Sequence, residues 1–543
     1  MSALADLRAA VAAAASLVAG REREPSAAPT LARAPRPEFG DYSTNAAMLL
    51  APLLGESPRR VAERVGEELA VVLGDRLDRV EVAGPGFVNL FLSPRWYEEA
   101  LATVLAAGED YGGGGADSPE RVCIEFVSAN PTGPLHVGHG RQAAYGDAVA
   151  RLLAFHGHEV SREYYLNDYG SQIARLADSI AALARDEPVP EDGYHGDYVA
   201  ALVPLEQARG LDRDTLGRLA VNACAAQIRA TLDRFRVHFD EWFSERFLHE
   251  GDRSPVAAAL AALEAQGEIY RSDGALWLRT TAHGDDKDRV LVRSSGEHTY
   301  FASDVAYHQN KLARGFQRLI DVWGSDHHGY IARMRAAFVA LGGAPEQLEL
   351  IIIQFVELLE GGARASMSKR AGVGVTLDDL MAEIGVDAAR WFLLSRSADT
   401  TVELDLDLAR RESNENPVYY VQYAHARIHS VLRKAGAERV TRALEEIGTL
   451  ADHELHPSER VLLARLLAFP PEVADAAERR APHRVAGYAL ELAQDFTAFY
   501  RDCRIVGAES AQAESFRLAV AVASARVIAR ALDLLGLQAP EVM

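Results

Sequence analysis

The stretch Arg121-Val122-Cys123-Ile124-Glu125-Phe126-Val127-Ser128-Ala129-Asn130-Pro131-Thr132-Gly133-Pro134-Leu135-His136-Val137-Gly138-His139 decides the fold. Val122, Ile124 and Phe126 alternate as one face of a strand. The run Asn130 to Pro134 is loop chemistry, and a helix is predicted from about Gly138 to Phe155. A second strand is predicted over Val160 to Tyr165. Together these make a β-α-β unit, which implies a parallel sheet with a right-handed crossover.

Chemistry concentrates where the loop meets the helix. A helix N-terminus offers unpaired N–H groups and partial positive charge, so phosphates bind there, and Gly138 lets a nucleotide approach the backbone. His136 and His139, on the same turn, can donate hydrogen bonds to phosphate oxygens as charge builds at an α-phosphate. Taken alone, the H-x-G-H string is weak and better suits two satisfied loop histidines. A second string, Ser366-Met367-Ser368-Lys369-Arg370, lies 227 residues beyond His139, between Gly361-Gly362 and Gly372. A lysine on a glycine-bounded loop can close over ATP and stabilise departing pyrophosphate, although a solvated basic turn would look alike in isolation. The two strings occur in the required order, each in suitable local structure.

Further out, residues 172–235 read as a helical insertion. Sheet-like segments resume at Leu276 to Leu278, Val290 to Arg293, Leu319 to Trp323 and Leu350 to Phe355, the last too apolar for an exposed strand. Residues 1–96 read as a small α/β unit: an alanine-rich helix, a loop through Pro35, Pro37 and Gly40, a helix from Thr44 and a strand Phe87 to Leu92. Residues 97–120 read as a linker containing Gly112 to Gly115. From about Ser413 the pattern is helical to Met543, with breaks at Pro457, Pro470-Pro471, Pro482 and Gly507.

Bulk properties bound the function. At 543 residues, 48% hydrophobic and 25% charged, the chain has the composition of an ordinary globular protein of several domains. Val11 to Ala19 follows Asp6 and Arg8 and reads as an amphipathic helix, not a signal peptide or membrane span. Cys123, Cys224 and Cys503 have no CxxC spacing, so neither a disulfide framework nor a cysteine zinc site is expected, and the compartment expected is the cytoplasm. A net charge of -21 argues against indiscriminate nucleic-acid coating but leaves room for a folded RNA at local basic patches.

Phe126 to His139 closely resembles the signature of bacterial arginyl-tRNA synthetases, class I aminoacyl-tRNA synthetases, and Ser366 to Arg370 resembles the class I KMSKS loop. The resemblance continues through Phe39 to Asn45, Val82 to Asn89, Tyr194 to Tyr198, Phe239 to Glu245, Asp285 to Leu291 and Glu412 to Arg427, covering nearly the whole chain. It implies a Rossmann-type α/β catalytic domain (121–365), an N-terminal additional domain for the tRNA corner (1–96), a KMSKS-like loop and connecting region (366–412) and an all-α anticodon-binding domain (413–543). It implies an arginine-tRNA ligase working on L-arginine, ATP with Mg2+ and tRNA(Arg); a monomer is expected, though nothing in the sequence gives the oligomeric state.

Residue by residue, the resemblance places His136, His139 and Lys369 in catalysis, with Gly138, Met367 and Ser368 also on ATP. Glu245 and Asp304 match the guanidinium-binding acids, with Tyr300 closing the pocket. Carboxylates suit that cation because they accept its fixed fork of donors. Ser128 and Asn130 match positions that hold the α-amino and carboxylate end, and His327 the far wall. Phe87, Asn89, Tyr419 and Tyr423 match tRNA contacts. Asp326-His327-His328 could suggest a metal, but three adjacent residues do not easily converge on one ion, so no structural metal is expected. Ser366 stands where the family has the first lysine of its loop, and Ala83 where some relatives have a polar residue. The rival readings are a class I synthetase for another amino acid, a nucleotidyltransferase that ignores tRNA, and a catalytically silent tRNA-binding paralogue. Zinc clusters or an editing-sized insertion would favour the first; neither is evident.

Overall fold

The computed structural model describes residues 2–20, 27–251, 254–364, 375–449 and 453–543. The first unit comprises α1 (Ala3–Ala19), β1 (Leu31–Arg33), β2 (Tyr42–Thr44), α2 (Ala46–Leu54), α3 (Pro58–Leu73), β3 (Leu77–Ala83) and β4 (Phe87–Leu92). Its strands form an antiparallel sheet in the order β1-β2-β4-β3. Alternation along β4 turns Val88, Leu90 and Leu92 into the core shared with the three helices. The helix expected from Thr44 starts two residues later, because Thr44 ends β2 and its Oγ1 accepts the Ala46 N–H at 3.2 Å. Gly40 (φ 86°) packs so closely on β4 that a Cβ there would lie 2.6 Å from the Leu90 carbonyl oxygen. Only glycine fits that crossing.

Residues 97–120, expected to be a linker, are helical as far as Ala107: α4 (Pro94–Ala107) starts at a Ser93 cap. It lies against the C-terminal helices, which donate to its end and to the turn that follows, from Arg526 Nη1 to Leu105 O and from Arg530 Nε to Glu109 O (both 3.1 Å).

The central unit follows the predicted β-α-β order with β5 (Arg121–Phe126), α5 (Val137–His156) and β6 (Glu159–Leu166). The helical insertion is α6 (Ser171–Ala184), α7 (Asp197–Leu202), α8 (Leu205–Ala208) and α9 (Arg213–Arg234). Then come β7 (Glu241–Ser244), α10 (Glu245–His249), α11 (Pro255–Ala265), β8 (Ile269–Ser272), β9 (Ala275–Leu278), β10 (Arg289–Val292), α12 (Tyr300–Ala313), β11 (Arg318–Gly324), α13 (Ile331–Ala340) and β12 (Leu348–Ile353). Five strands form a parallel sheet in the order β12-β11-β5-β6-β7. From β5 the chain moves toward β7, and from β11 toward β12. The crevice beyond the carboxyl ends of β5 and β11 is therefore the switch point at which such sheets bind ligands. The segments around Leu276 and Val290 are strands but lie outside this sheet, in a separate antiparallel one ordered β10-β9-β8.

Connecting segments follow as β13 (Val356–Glu360), β14 (Ala363–Arg364), α14 (Leu377–Leu394), β15 (Val402–Asp405) and α15 (Leu406–Ala409). The helical end is α16 (Pro417–Ala435), α17 (Ala437–Glu446), α18 (Pro457–Leu467), α19 (Phe469–Glu478), α20 (Pro482–Asp502) and α21 (Ala511–Leu534). The prolines read as breaks sit at helix starts, where the missing N–H costs nothing. Buried Arg390 on α14 ties the parts together. It donates from Nε to Leu535 O and from Nη1 to Phe235 O, both at 2.9 Å, and from Nη2 to Asp147 on α5 at 2.5 Å.

Candidate functional site

The crevice at the switch point holds a cavity of about 640 Å³. Its lining includes Ser128, Asn130, His136, His139, Glu245, Tyr300, Asp304 and His327, residues that are up to 199 positions apart in sequence. It does not include Gly138.

At the end of β5 the chain turns through two successive left-handed residues, Val127 (φ 69°) and Ser128 (φ 39°). A β-branched residue at positive φ is strained, and such strain persists only where neighbours enforce it. The neighbours here are specific. Ser128 Oγ donates to Glu125 Oε1 at 2.8 Å and accepts the Tyr165 N–H at 3.1 Å. Glu125 is in turn held by Lys311 Nζ at 2.7 Å. Lys311 also reaches Asp321 Oδ1 at 2.8 Å, and Asp321 Oδ2 pairs with His308 Nε2 at 2.8 Å. Burial works against the charge on Lys311, but Asp321 and Glu125 outweigh it and keep the ammonium protonated. The floor of the cavity is thus a buried ionic network joining β5, β11 and α12.

The histidine pair corrects one expectation. The first-turn N–H groups of α5, read as free for phosphate, are already used. Gly138 N and His139 N donate to His136 Nδ1 (3.1 and 3.4 Å), and Val137 N donates to Val375 O (3.2 Å). His136 N donates back to His139 Nδ1 at 3.3 Å, and the rings stack with centroids 3.6 Å apart. The physical reason is that an imidazole nitrogen at the N-cap position does what a serine oxygen usually does. Burial lowers the pKa of both rings, that of His139 to about 3. Both are neutral near pH 7. With Nδ1 accepting, each carries its proton on Nε2, so two imidazole N–H donors replace the backbone donors on this wall.

The opposite wall is acidic. Glu245, the first residue of α10, is only 3% exposed, and its Oε2 has no hydrogen-bond partner among the described residues. The hydroxyl of buried Tyr165 likewise has no hydrogen-bond partner among the described residues. Asp304, on the second turn of α12, accepts a hydrogen bond from the Tyr330 hydroxyl. Burial pushes the Asp304 carboxyl up to about 7, with the charges of Glu245 and Glu125 adding to the effect. Unsatisfied buried polar groups are costly, so a wall of this kind is complementary to a cation that brings several donors. Tyr300 is 56% exposed at the cavity mouth, its hydroxyl 3.2 Å from Ser171 Oγ on α6. His327 is exposed and lies 3.3 Å from Asp326.

Lys369, Met367 and Ser368 lie outside the described residues. The flanking chain returns to the histidines, since Leu377 N donates to Leu135 O at 2.8 Å and Thr376 bridges to His136.

Away from the cavity, Phe87 is 41% exposed on the sheet face opposite the helices, whereas Asn89 on the same face is 4% exposed. On α16, Tyr419 and Tyr423 stack with centroids 6.0 Å apart. Arg427 lies over Tyr423 (4.6 Å) and over Tyr500 of α20 (5.3 Å). Sequence reasoning missed Arg427, although its spacing of four from Tyr423 signals a shared helix face. It also missed Glu125, Tyr165 and Tyr330, whose roles depend on strand register and on a loop after β11. Among the described residues, no group of three or more His, Cys, Asp or Glu is arranged to hold a metal ion.

The chain matches three family models in turn: "Arginyl tRNA synthetase N terminal domain" over 5–92, "tRNA synthetases class I (R), catalytic domain" over 100–192 and 202–414, and "DALR anticodon binding domain" over 421–543. It is 45% identical over 525 residues to an arginine–tRNA ligase of Geobacillus kaustophilus, covering 93% of this chain and 92% of that one. It is 44% identical over 519 residues to one of Bacillus subtilis, with the same coverage. Among solved structures, the arginyl-tRNA synthetase of Thermus thermophilus superposes with a TM-score of 0.75 at 25% identity, covering 99% of each chain. A parallel-sheet cavity with paired histidines on one wall and acids on the other, flanked by an N-terminal α/β unit and a helical C-terminal unit, therefore goes with a sequence match along almost its whole length: the chain belongs to the arginyl-tRNA synthetases of class I.

Proposed function

We propose that this cavity is where the chain activates arginine with ATP and from which it passes the arginyl group to tRNA. The observation that carries the reading is the unpartnered Glu245 Oε2 in the same wall as Asp304, an acidic recess that a guanidinium would satisfy. Arginine lies with its guanidinium on Glu245 and Asp304, beneath Tyr300, and its α-amino and carboxylate end toward Ser128 and Asn130, with His327 at the far wall. Its carboxylate attacks the α-phosphate of ATP, delivered as the Mg2+ complex, and pyrophosphate leaves. The Nε2–H groups of His136 and His139 donate to phosphate oxygens as charge develops. Lys369, with Met367 and Ser368, acts on the leaving pyrophosphate, and Gly138 serves the ATP site through its neighbour, leaving the space that the His136 ring fills, where a Cβ would lie 2.9 Å from it. The 3′-terminal ribose hydroxyl of tRNA(Arg) then attacks the arginyl carbonyl and releases AMP. No side chain becomes covalently linked, so positioning and charge stabilisation supply the acceleration.

The tRNA lies across three regions: residues 1–96 at its outer corner through Phe87, with Asn89 behind it; 121–365 and the 366–412 region at its acceptor end; and 413–543 at the anticodon, through the stacked pair Tyr419 and Tyr423. The half-buried rings of Tyr419 and Tyr423 and the exposed Tyr500, with Arg427 between them, suit splayed, single-stranded bases. The working unit is a monomer in the cytoplasm; the buried free cysteines Cys123, Cys224 and Cys503 suit a reducing compartment.

The test is pyrophosphate exchange with each of the twenty amino acids, with and without total tRNA. Exchange with arginine only, dependent on tRNA, is expected. Exchange with a different amino acid, or none with any, would overturn the reading.

A further inference from the structure

Asp304 does not stand alone at the guanidinium end of the cavity. The Tyr330 hydroxyl donates to its Oδ2. Tyr330 is itself fixed, with the Arg333 guanidinium 4.7 Å over its ring and the edges of Phe301 and Trp323 against it, both at 6.0 Å. Such a ring cannot swing away without breaking several contacts.

Resting on the reading that Asp304 meets the guanidinium, we infer that Tyr330 is a specificity-positioning residue, whose hydroxyl holds the Asp304 carboxyl charged and aimed so that the pocket accepts a cation and refuses a neutral isostere. The surroundings explain why such a donor is needed. Glu245 faces Asp304 from α10 and Glu125 from β5, and both disfavour a further negative charge. Tyr165 of β6 lies close enough to feel that charge and brings none of its own at neutral pH. His308, one turn along α12, favours the carboxylate, but its ring is engaged by Asp321 Oδ2 and by the Asp304 carbonyl. Arg289 and Arg333 lie behind Tyr330 and act on its ring. Tyr330 is thus the one described side chain that donates a hydrogen bond to this carboxylate. Burial already raises this carboxyl to about 7 against the pull of the Tyr330 hydroxyl, so losing the donor extends the protonated, non-binding form to higher pH.

The sign follows from the acid's protonation. Below its pKa Asp304 is neutral and pairs poorly with a guanidinium, so arginine binding weakens as pH falls through about 7. In Tyr330→Phe that loss occurs at higher pH. The experiment measures KM for arginine and for ATP in tRNA-supported pyrophosphate exchange, from pH 6 to 9.5, for the wild type, Tyr330→Phe and Asp304→Asn. The variant-to-wild-type ratio of arginine KM is the readout, because titration of the substrate's own amino group cancels in it. The ratio should be about tenfold or more at pH 7 and fall toward one by pH 9.5, with the KM for ATP unchanged. A ratio of one throughout would overturn the proposal. So would a raised ratio independent of pH, which would leave Tyr330 as packing only. If Asp304→Asn itself uses arginine normally, it is the placement of Asp304 on the guanidinium that fails.

Discussion

Glu245 and Asp304 are best tested by removing charge while keeping shape. Glu245→Gln and Asp304→Asn should each depress arginine activation strongly while leaving the KM for ATP near normal, since neither acid is on the histidine wall. Citrulline, nearly isosteric with arginine but uncharged, is the matching probe from the ligand side. A site built on buried charge should reject it by about 10⁴ or more without hydrolytic editing. The arginine-to-citrulline ratio of activation rates should collapse in both variants. If either kept the wild-type ratio, that carboxylate would not be on the guanidinium. Lys369 poses a different question, because it is assigned to charge that exists only during reaction. Lys369→Ala should slow adenylate formation by about 10² to 10³-fold, or roughly 2.7–4 kcal/mol, with little change in arginine affinity. Equal losses in rate and affinity would make it a ground-state or structural residue. Restoring Ser366→Lys should raise the rate modestly or not at all.

Among the elements, α5 carries the pair proposed to face the phosphates, His136 and His139, at its start, and its body lies on β5. That contact is closest at Gly146, where a Cβ would fall 2.2 Å from Cγ of the fully buried Phe126. Gly146→Ala must therefore lift the helix from the sheet or displace the ring. Overpacking of this kind costs about 1–3 kcal/mol. Denaturant unfolding should show that loss, and the KM for ATP should rise because the histidine turn moves with the helix. A variant of wild-type stability would mean the helix slides without cost. The same element shows where pattern reading stops: the loop, the helix span and the flanking strands followed from alternation and Pro/Gly placement, whereas imidazoles serving as the cap did not. Histidine lacks the oxygen that signals an N-cap, and its capping role follows from ring stacking and from the return of Val375 and Thr376 to the turn.

Across the whole molecule, the central unit and the C-terminal helices are fastened by Arg390, whose guanidinium spans α5, the end of the helical insertion and the turn after α21. Arg390→Met keeps the bulk and strands two carbonyls, while Asp147 retains Arg151 at 2.8 Å. A loss of about 3 kcal/mol is expected, at the low end for a broken buried pair because of that remaining partner. The thermal transition should move down, and aminoacylation should fall more than arginine-dependent pyrophosphate exchange if the anticodon unit loosens on the catalytic one. An unchanged melting profile would show that the clamp is redundant with the apolar packing around it.

By itself the sequence determined the order and type of the main elements, the parallel β-α-β core, the helical ending and the residues of the two signature strings, because these rest on local periodicity, on turn residues and on short-range spacing. It also named the residues that now line one cavity, but through resemblance, since nothing local in Glu245 or Asp304 marks a buried acid. Only the tertiary structure decided that α4 is a helix against the C-terminal bundle and not a linker, that β9 and β10 leave the main sheet, and that Asn89 is buried beside an exposed Phe87. It alone placed Lys311 between Glu125 and Asp321, and Tyr330 on Asp304. The reason is common to all of these: burial and the charge on a carboxyl depend on groups brought close by the packing of strands and helices far apart in the chain, and no local pattern encodes that distance.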